Sequence, residues 1–248
     1  MNSNVAVSVP GGDVWLRRLS SVVSLSRAAQ EAAAEIMSLG RPIPARDHII
    51  RDGNRETSIK VLISGFACRY KFLPAGRRQI TAFVLPGDLC DFGFVSSSPA
   101  SQGVMALSPS IVGAVDVDRF ASIVEEYPDL MAAVLRCAAI EQNATQELLL
   151  SLGGRNALQR VGHLLCELHF RMQSAGLLRD GQAFDLPVTQ SELGEALGLS
   201  TVHVNRTVQT LRKLGLATWR DRVVSLPNPP GLAALSGFDP AYLKSEMA

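Results

Sequence analysis

Aromatic residues make up only 6% of this 248-residue chain, and cysteine occurs four times. Thiols at Cys68, Cys90, Cys137 and Cys166 form no disulfide framework in so long a chain and read as the reduced cysteines of a cytosol. Net charge is nearly absent: 24 Lys plus Arg face 23 Asp plus Glu, a formal +1. That excludes a chain-wide basic surface but not a local one. No apolar run approaches the roughly 18 residues needed to span a bilayer, and MNSNVAVSVPGGD has neither a basic nor an apolar leader region, so no membrane partner is expected. The motifs GxxxxGK[ST], HExxH, GxSxG and DxDxDG are missing, and no nucleophile has a recognisable base with an orienting partner. The chain therefore does not read as an enzyme, and the sequence assigns it no cofactor. What remains is an ordinary globular composition, 19% charged and 47% hydrophobic, with length for one large domain or two modest ones.

Residues 1–12 read as a disordered lead ending in Pro-Gly-Gly. Asp13 is placed to cap a first helix, and the Ala-rich stretch Glu31–Met37 favours a second. The texture changes at Arg41-Pro42-Ile43-Pro44. Short apolar runs follow at Ser58–Ser64, Cys68–Leu73, Gln79–Leu85 and Ile111–Val117, with Gly65, Gly76 and Gly87 at equal intervals. That spacing predicts a compact antiparallel barrel or roll. At Asp118 the period switches to helical, and a long helix is expected from Asp129 to Leu152. Met131, Leu135, Ala138, Gln142, Thr145, Leu149 and Leu152 lie on it at alternating steps of four and three, a heptad seam with a polar middle. Dimerisation through this stripe is one use; packing on the chain's own barrel is the other. Gly153-Gly154 reads as a hinge, and Gly176–Asp185 as a loop. His163, Cys166 and Glu167 share two turns of the next helix, but no second ligand cluster accompanies them and no metal site is assigned.

The informative stretch is VTQSELGEALGLSTVHVNRTVQTLRKLGLATWRDRVVSL, residues 188–226. Thr189 followed by Glu192 is a capping box for a helix ending at Gly198, and Ser200 caps a second helix that stops at Gly215. Two helices joined by a short Gly-containing turn have helix-turn-helix spacing, and the strands around Arg220-Asp221-Arg222 make a small wing. On the second helix Val204, Val208 and Leu211 fall together and should face the core. Val202, Asn205, Arg206, Gln209 and Lys213 fall opposite. Between Glu195 and Asp221 there is no acid, while Arg206, Arg212, Lys213 and Arg220 are present. Phosphates require such cations, guanine suits the Arg fork, and adenine suits Asn or Gln. This points to double-stranded DNA, with a protein-binding winged helix on a ligand-sensing module as the alternative.

In this order of parts the chain resembles the CRP/FNR superfamily of transcription regulators, over about residues 40–226. The resemblance is carried most by LGEALGLSTVHVNRTVQTLRKLGL, and by VLPGDLCDFGF, similar to the family's strand–Pro-Gly-Asp–strand segment. It implies an α+β fold: an N-terminal helical extension (1–40), an antiparallel β-roll sensor (41–127), a dimerisation helix (128–153), a winged helix-turn-helix (154–230) and a C-terminal tail (231–248). It also implies a homodimeric, cytoplasmic regulator on a palindromic operator, with RNA polymerase as a partner if it activates. Thr201, Val202, Asn205 and Arg206 take the base-contacting positions, with Thr189, Ser200, His203, Gln209, Arg212, Lys213 and Arg220 completing the DNA contacts. Where cyclic-nucleotide members carry a phosphate-binding Arg, this chain has Ala100, and no Lys or Arg lies between Arg78 and Arg119. Cyclic nucleotide is thus not the expected effector, and any small-molecule effector is left unnamed. Iron–sulfur sensing would need clustered N-terminal cysteines, and residues 1–67 have none; His48 is the one histidine of the sensor, and the sequence assigns it no haem. Cys68 and Cys90 both fall in the roll, where a redox switch or inert buried thiols are the two readings.

Overall fold

Short β-branched and aromatic runs broken by Gly and Pro form strands because their side chains pack on a pleated surface and their turns are chemically marked. The computed structural model describes residues 7–8, 12–37, 39–74, 76–92, 99–180 and 182–244. Its strands in the first part are β1 (Val7–Ser8), β2 (Leu39–Ile43), β3 (His48–Ile50), β4 (Ser58–Ser64), β5 (Ala67–Phe72), β6 (Arg78–Val84), β7 (Gly103–Ala106) and β8 (Ser110–Asp116). They pair antiparallel in two four-stranded sheets, ordered β1-β2-β8-β4 and β3-β7-β5-β6. Both sheets contribute to one apolar cluster: Ile43, Leu62 and Val112 from the first, Ile50, Ala67, Val84 and Val104 from the second. This is the expected β-roll. Strands β2, β3 and β7 are additions to the runs read from sequence; at three to five residues each is too short to show a period.

Helix α1 (Gly12–Ser20) and helix α2 (Arg27–Ile36) lie against the roll, burying Trp15, Leu19, Ala29 and Ala33. Val7–Ser8 are not part of a disordered lead; the open edge of β2 takes them as a strand, with Val7 opposite Gly40. The rest of that lead, residues 1–6 and 9–11, lies outside the described residues. Asp13 sits inside α1, which begins one residue earlier, so it is not the cap expected of it. The α1–α2 loop is bonded to the start of the long helix, where Arg136 donates to the Val22 carbonyl at 2.8 Å and the Asp129 carboxylate accepts from the Ser26 amide at 2.7 Å.

After α3 (Val117–Glu126) comes α4 (Pro128–Gly154), and the chain divides into two compact units between Ala139 and Ile140, inside that helix rather than at its start. Gly153 and Gly154 do not form a break; α4 runs through both, because Arg155 ties its last turns by donating to Ser151 Oγ at 2.7 Å and to the Glu147 carboxylate at 3.0 Å. The chain turns at Asn156, whose side chain caps α5 (Ala157–Ser174) in a reciprocal box with Gln159. The second unit continues with β9 (Ala183–Asp185), α6 (Gln190–Leu197), α7 (Thr201–Lys213), β10 (Thr218–Arg220), β11 (Val223–Ser225) and α8 (Pro229–Ser236). The end of the expected loop is thus a strand, β9, because β11 has a free edge to pair with it. Nor is the segment beyond Pro230 a tail. Pro229 and Pro230 occupy the first turn of α8, where a missing N–H is no loss, and Leu232 and Ser236 are buried against Gly162 of α5. Residues 245–248 of that expected tail lie outside the described residues.

Candidate nucleic-acid interface

The local chemistry of residues 189–200 fixes the angle between α6 and α7. Thr189 Oγ1 accepts from the Glu192 amide at 3.2 Å, and the Glu192 carboxylate accepts from the Thr189 amide at 2.8 Å. Gly198 ends α6 in the left-handed conformation, φ 64°. A Cβ on Gly194 would collide with the Leu199 carbonyl oxygen, so glycine lets the turn fold back on its own helix. Ser200 Oγ then accepts from the His203 amide at 3.2 Å and starts α7. Arg160 of α5 holds the assembly from beneath, donating to the carbonyls of Leu197 at 2.7 Å, Leu152 at 3.1 Å and Arg155 at 3.0 Å. These carbonyls end α6 and α4, where helices leave acceptors unsatisfied.

Val204, Val208 and Leu211 of α7 are buried as the period requires, together with Thr207. Burying each of the larger three contributes about 1.5–3 kcal/mol. The other side is open: Thr201, Val202, His203, Asn205, Arg206, Arg212 and Lys213 are exposed and Gln209 is half-buried. Val202 is a 62% exposed apolar side chain at the head of this face. Among the described residues Arg206, Arg212, Lys213 and Arg220 have no ion-pair or hydrogen-bond partner for their side chains. Thr189 and Ser200 are also exposed, with hydroxyls already engaged in caps. An open cleft of about 530 Å³ runs between residues 156–158 at the start of α5 and Val202, His203, Arg206 and Thr210 of α7.

Two side chains outside the predicted set belong to this surface. Gln190 opens α6, and its Oε1 accepts from Asn205 Nδ2 at 3.1 Å. Arg222 is exposed at the tip of the wing, where Arg220 pairs with Val223 and the two loop residues have positive φ, 50° at Asp221 and 63° at Arg222. Such a loop is ordinarily filled by Gly or Asn, so Asp221-Arg222 carries little sequence signal for it.

Along α4 the seam residues Leu135 and Leu149 are 53% and 64% exposed, Gln142 and Thr145 are exposed, and Met131, Ala138 and Leu152 are half-buried. Leu130, Ala133, Val134, Cys137 and Ile140 form a second stripe that is buried within the chain. The helix is apolar on two faces, only one of them covered.

In the roll, Ala100 is buried in the apolar cluster. The expectation that no cation comes near this segment needs correction. Arg69, which precedes the cation-free stretch in sequence, reaches across from β5 and donates to the carbonyls of Leu89 at 2.7 Å and Cys90 at 3.1 Å, with its guanidinium 5.5 Å from the Phe92 ring centre. Strand pairing brings it there, which a count along the chain does not see. His48 meets the Tyr70 hydroxyl at 2.8 Å. The Cys90 thiol is pushed up to about 12 by burial, which suppresses thiolate chemistry. Cys166, raised to about 11 by burial, bonds Ser236, while Glu167 bonds Tyr242 and Arg171, and His163 packs against Phe238 and Tyr242. Those three side chains do not converge, and the described residues contain no group of three His, Cys, Asp or Glu placed to hold a metal ion.

A model of the Crp-like helix-turn-helix domain matches residues 159–235, and one of the cyclic nucleotide-binding domain matches residues 41–127. The anaerobic regulatory protein of Haemophilus influenzae is 25% identical over 225 residues, covering 91% of this chain and 87% of that protein. The transcriptional activator protein Anr of Pseudomonas aeruginosa is 26% identical over 225 residues, 91% of either chain. The solved structure of FixK2 from Bradyrhizobium japonicum is similar with a TM-score of 0.69 at 25% identity, covering 78% of this chain and 94% of that one. With both domain matches in order on a β-roll, a long helix and a helix-turn-helix, the chain belongs to the CRP/FNR superfamily of transcription regulators.

Proposed function

We propose that this DNA-binding regulator reads a palindromic operator as a homodimer, in the cytoplasm, without control by cyclic AMP. The observation that carries the reading is the exposed face of α7, cationic, acid-free and with no partner for its Arg206, Arg212 and Lys213 side chains among the described residues. A guanidinium with no partner among the described residues is available to a guanine edge, and Arg206 occupies the middle of the face. Thr201, Val202 and Asn205 flank it as the other base contacts, Val202 offering a methyl surface to thymine. Gln209, Arg212 and Lys213 along α7, Arg220 in the wing, and Thr189, Ser200 and His203 at the two helix starts face the backbone phosphates, which position without reading sequence.

The uncovered stripe of α4 supports the homodimer, since a second copy would cover Leu135 and Leu149 by two-fold symmetry. Against a cyclic nucleotide stand the buried Ala100 in place of an Arg and the engagement of Arg69 with two carbonyls. Losing one charge-assisted phosphate contact costs about 1.5–3 kcal/mol. RNA polymerase is the further partner if the protein activates.

The test is competition binding on single-base operator variants. Arg206→Ala is expected to lose about 1–3 kcal/mol at the specific site and relax preference at one base pair per half-site. Equal loss on every variant would remove Arg206 as a base reader, and salt-independent binding would favour a protein partner for the wing and helix instead.

A further inference from the structure

We propose that Gln190 is a positioning residue that fixes Asn205 as a reader of adenine; this rests on the DNA-reading function proposed above. The geometry joins the two helices of the motif across their exposed side. Asn205 Nδ2 donates to Gln190 Oε1 at 3.1 Å, whereas neighbouring Arg206 has no such tether among the described residues. Gln190 is itself well placed to hold a neighbour. It follows the capping Thr189 directly, and the Glu192 side chain that closes the cap is buried, so the backbone carrying Gln190 is fixed on both sides.

The chemistry of a carboxamide turns this one bond into base selectivity. Asn205 has two N–H donors and one oxygen. With one N–H committed to Gln190, it presents the remaining N–H and Oδ1 side by side. Adenine offers the complement in the major groove, N7 as acceptor and N6–H as donor. Guanine offers two acceptors there, N7 and O6, so Oδ1 would face O6 without a proton between them. A lone flip of the Asn205 amide would set its oxygen against Gln190 Oε1. Flipping both amides together would turn the Gln190 oxygen outward, toward phosphates that only accept. With Oε1 engaged by Asn205, Gln190 instead keeps Nε2 as a donor suited to a phosphate oxygen. The polarity of the pair is therefore set by the phosphate backbone and transmitted to the base.

The experiment measures binding of the full-length protein and its variants to every single-base variant of the operator half-site. Asn205→Ala is expected to abolish preference for adenine at one position. Gln190→Ala should lower the preference at that same position about threefold to tenfold, the effect of releasing one side-chain rotamer, and leave the Arg206 position unchanged. Gln190→Glu keeps an acceptor for Asn205, so the adenine preference should survive while affinity falls on all sequences, because a carboxylate then faces phosphate. The double variant Gln190→Ala/Asn205→Ala should have no less preference than Asn205→Ala alone. If Gln190→Ala weakened all sequences equally with the adenine preference intact, Gln190 would be a phosphate contact only and the positioning role would be overturned. If the wild-type protein showed no sequence preference at all, the DNA-reading function would fall with it, a result distinct from the first.

Discussion

Arg206 of α7 and Arg69 of the roll put the same side chain to opposite uses. Arg206 is exposed on α7 with no partner among the described residues; Arg69 is 6% exposed in the roll and donates to two main-chain carbonyls. A solvated guanidinium contributes little to stability and is available to an external polyanion. A buried one is part of the fold, because removing it leaves acceptors unsatisfied in a low-dielectric interior. On α7 the charge is kept outside, whereas Arg69 in the roll is enclosed.

Substitutions on exposed and on enclosed side chains should therefore differ in what they disturb. The largest effect is expected where an apolar stripe, not a charge, is exposed: Leu135→Asp with Leu149→Asp should give monomers by sedimentation velocity and lower operator affinity by more than about 100-fold, as one half-site loses its tethered neighbour. Next comes acid. Burial, with Arg155 nearby, depresses the His163 pKa to about 4, so the folded protein refuses a proton that the unfolded chain takes up near 6.5. Stability is full above that pH and should fall by up to about 3 kcal/mol as pH drops toward 4. Buried Glu167, raised by burial, works in the opposite sense. His163→Phe should flatten the pH dependence of urea midpoints; an unchanged profile would exclude His163 as the source. Arg69→Met should cost about 2–3 kcal/mol in denaturant unfolding, against less than about 0.5 kcal/mol for Arg206→Ala. Equal costs for the two would erase the distinction. The smallest effect is expected in the wing, where Arg220→Ala should weaken all sequences alike and reduce the salt slope by about one.

The sequence makes the faces of α7 readable because both signals are local. A helical period separates Val204, Val208 and Leu211 from the polar side chains, and the Thr189–Glu192 box lies within a single turn. The roll is legible as a class for the same reason, through Gly-punctuated apolar runs. What escapes is whatever depends on contacts between elements. Arg69 reaches Cys90 only once the roll is folded, Gln190 meets Asn205 only across the motif, and β9 is a strand only because β11 lies beside it. Pro229-Pro230 misleads because proline both ends helices and starts them, and only the burial of Leu232 and Ser236 decides between the two.

Whether two copies of α7 read a two-fold DNA site can be decided by sequencing the DNA that the purified protein selects from a random pool. The expected result is one enriched palindrome with half-sites about one helical turn apart, each containing a G·C pair whose enrichment disappears with Arg206→Ala. A selected pool with no enriched motif, or with a single unrepeated half-site, would contradict it.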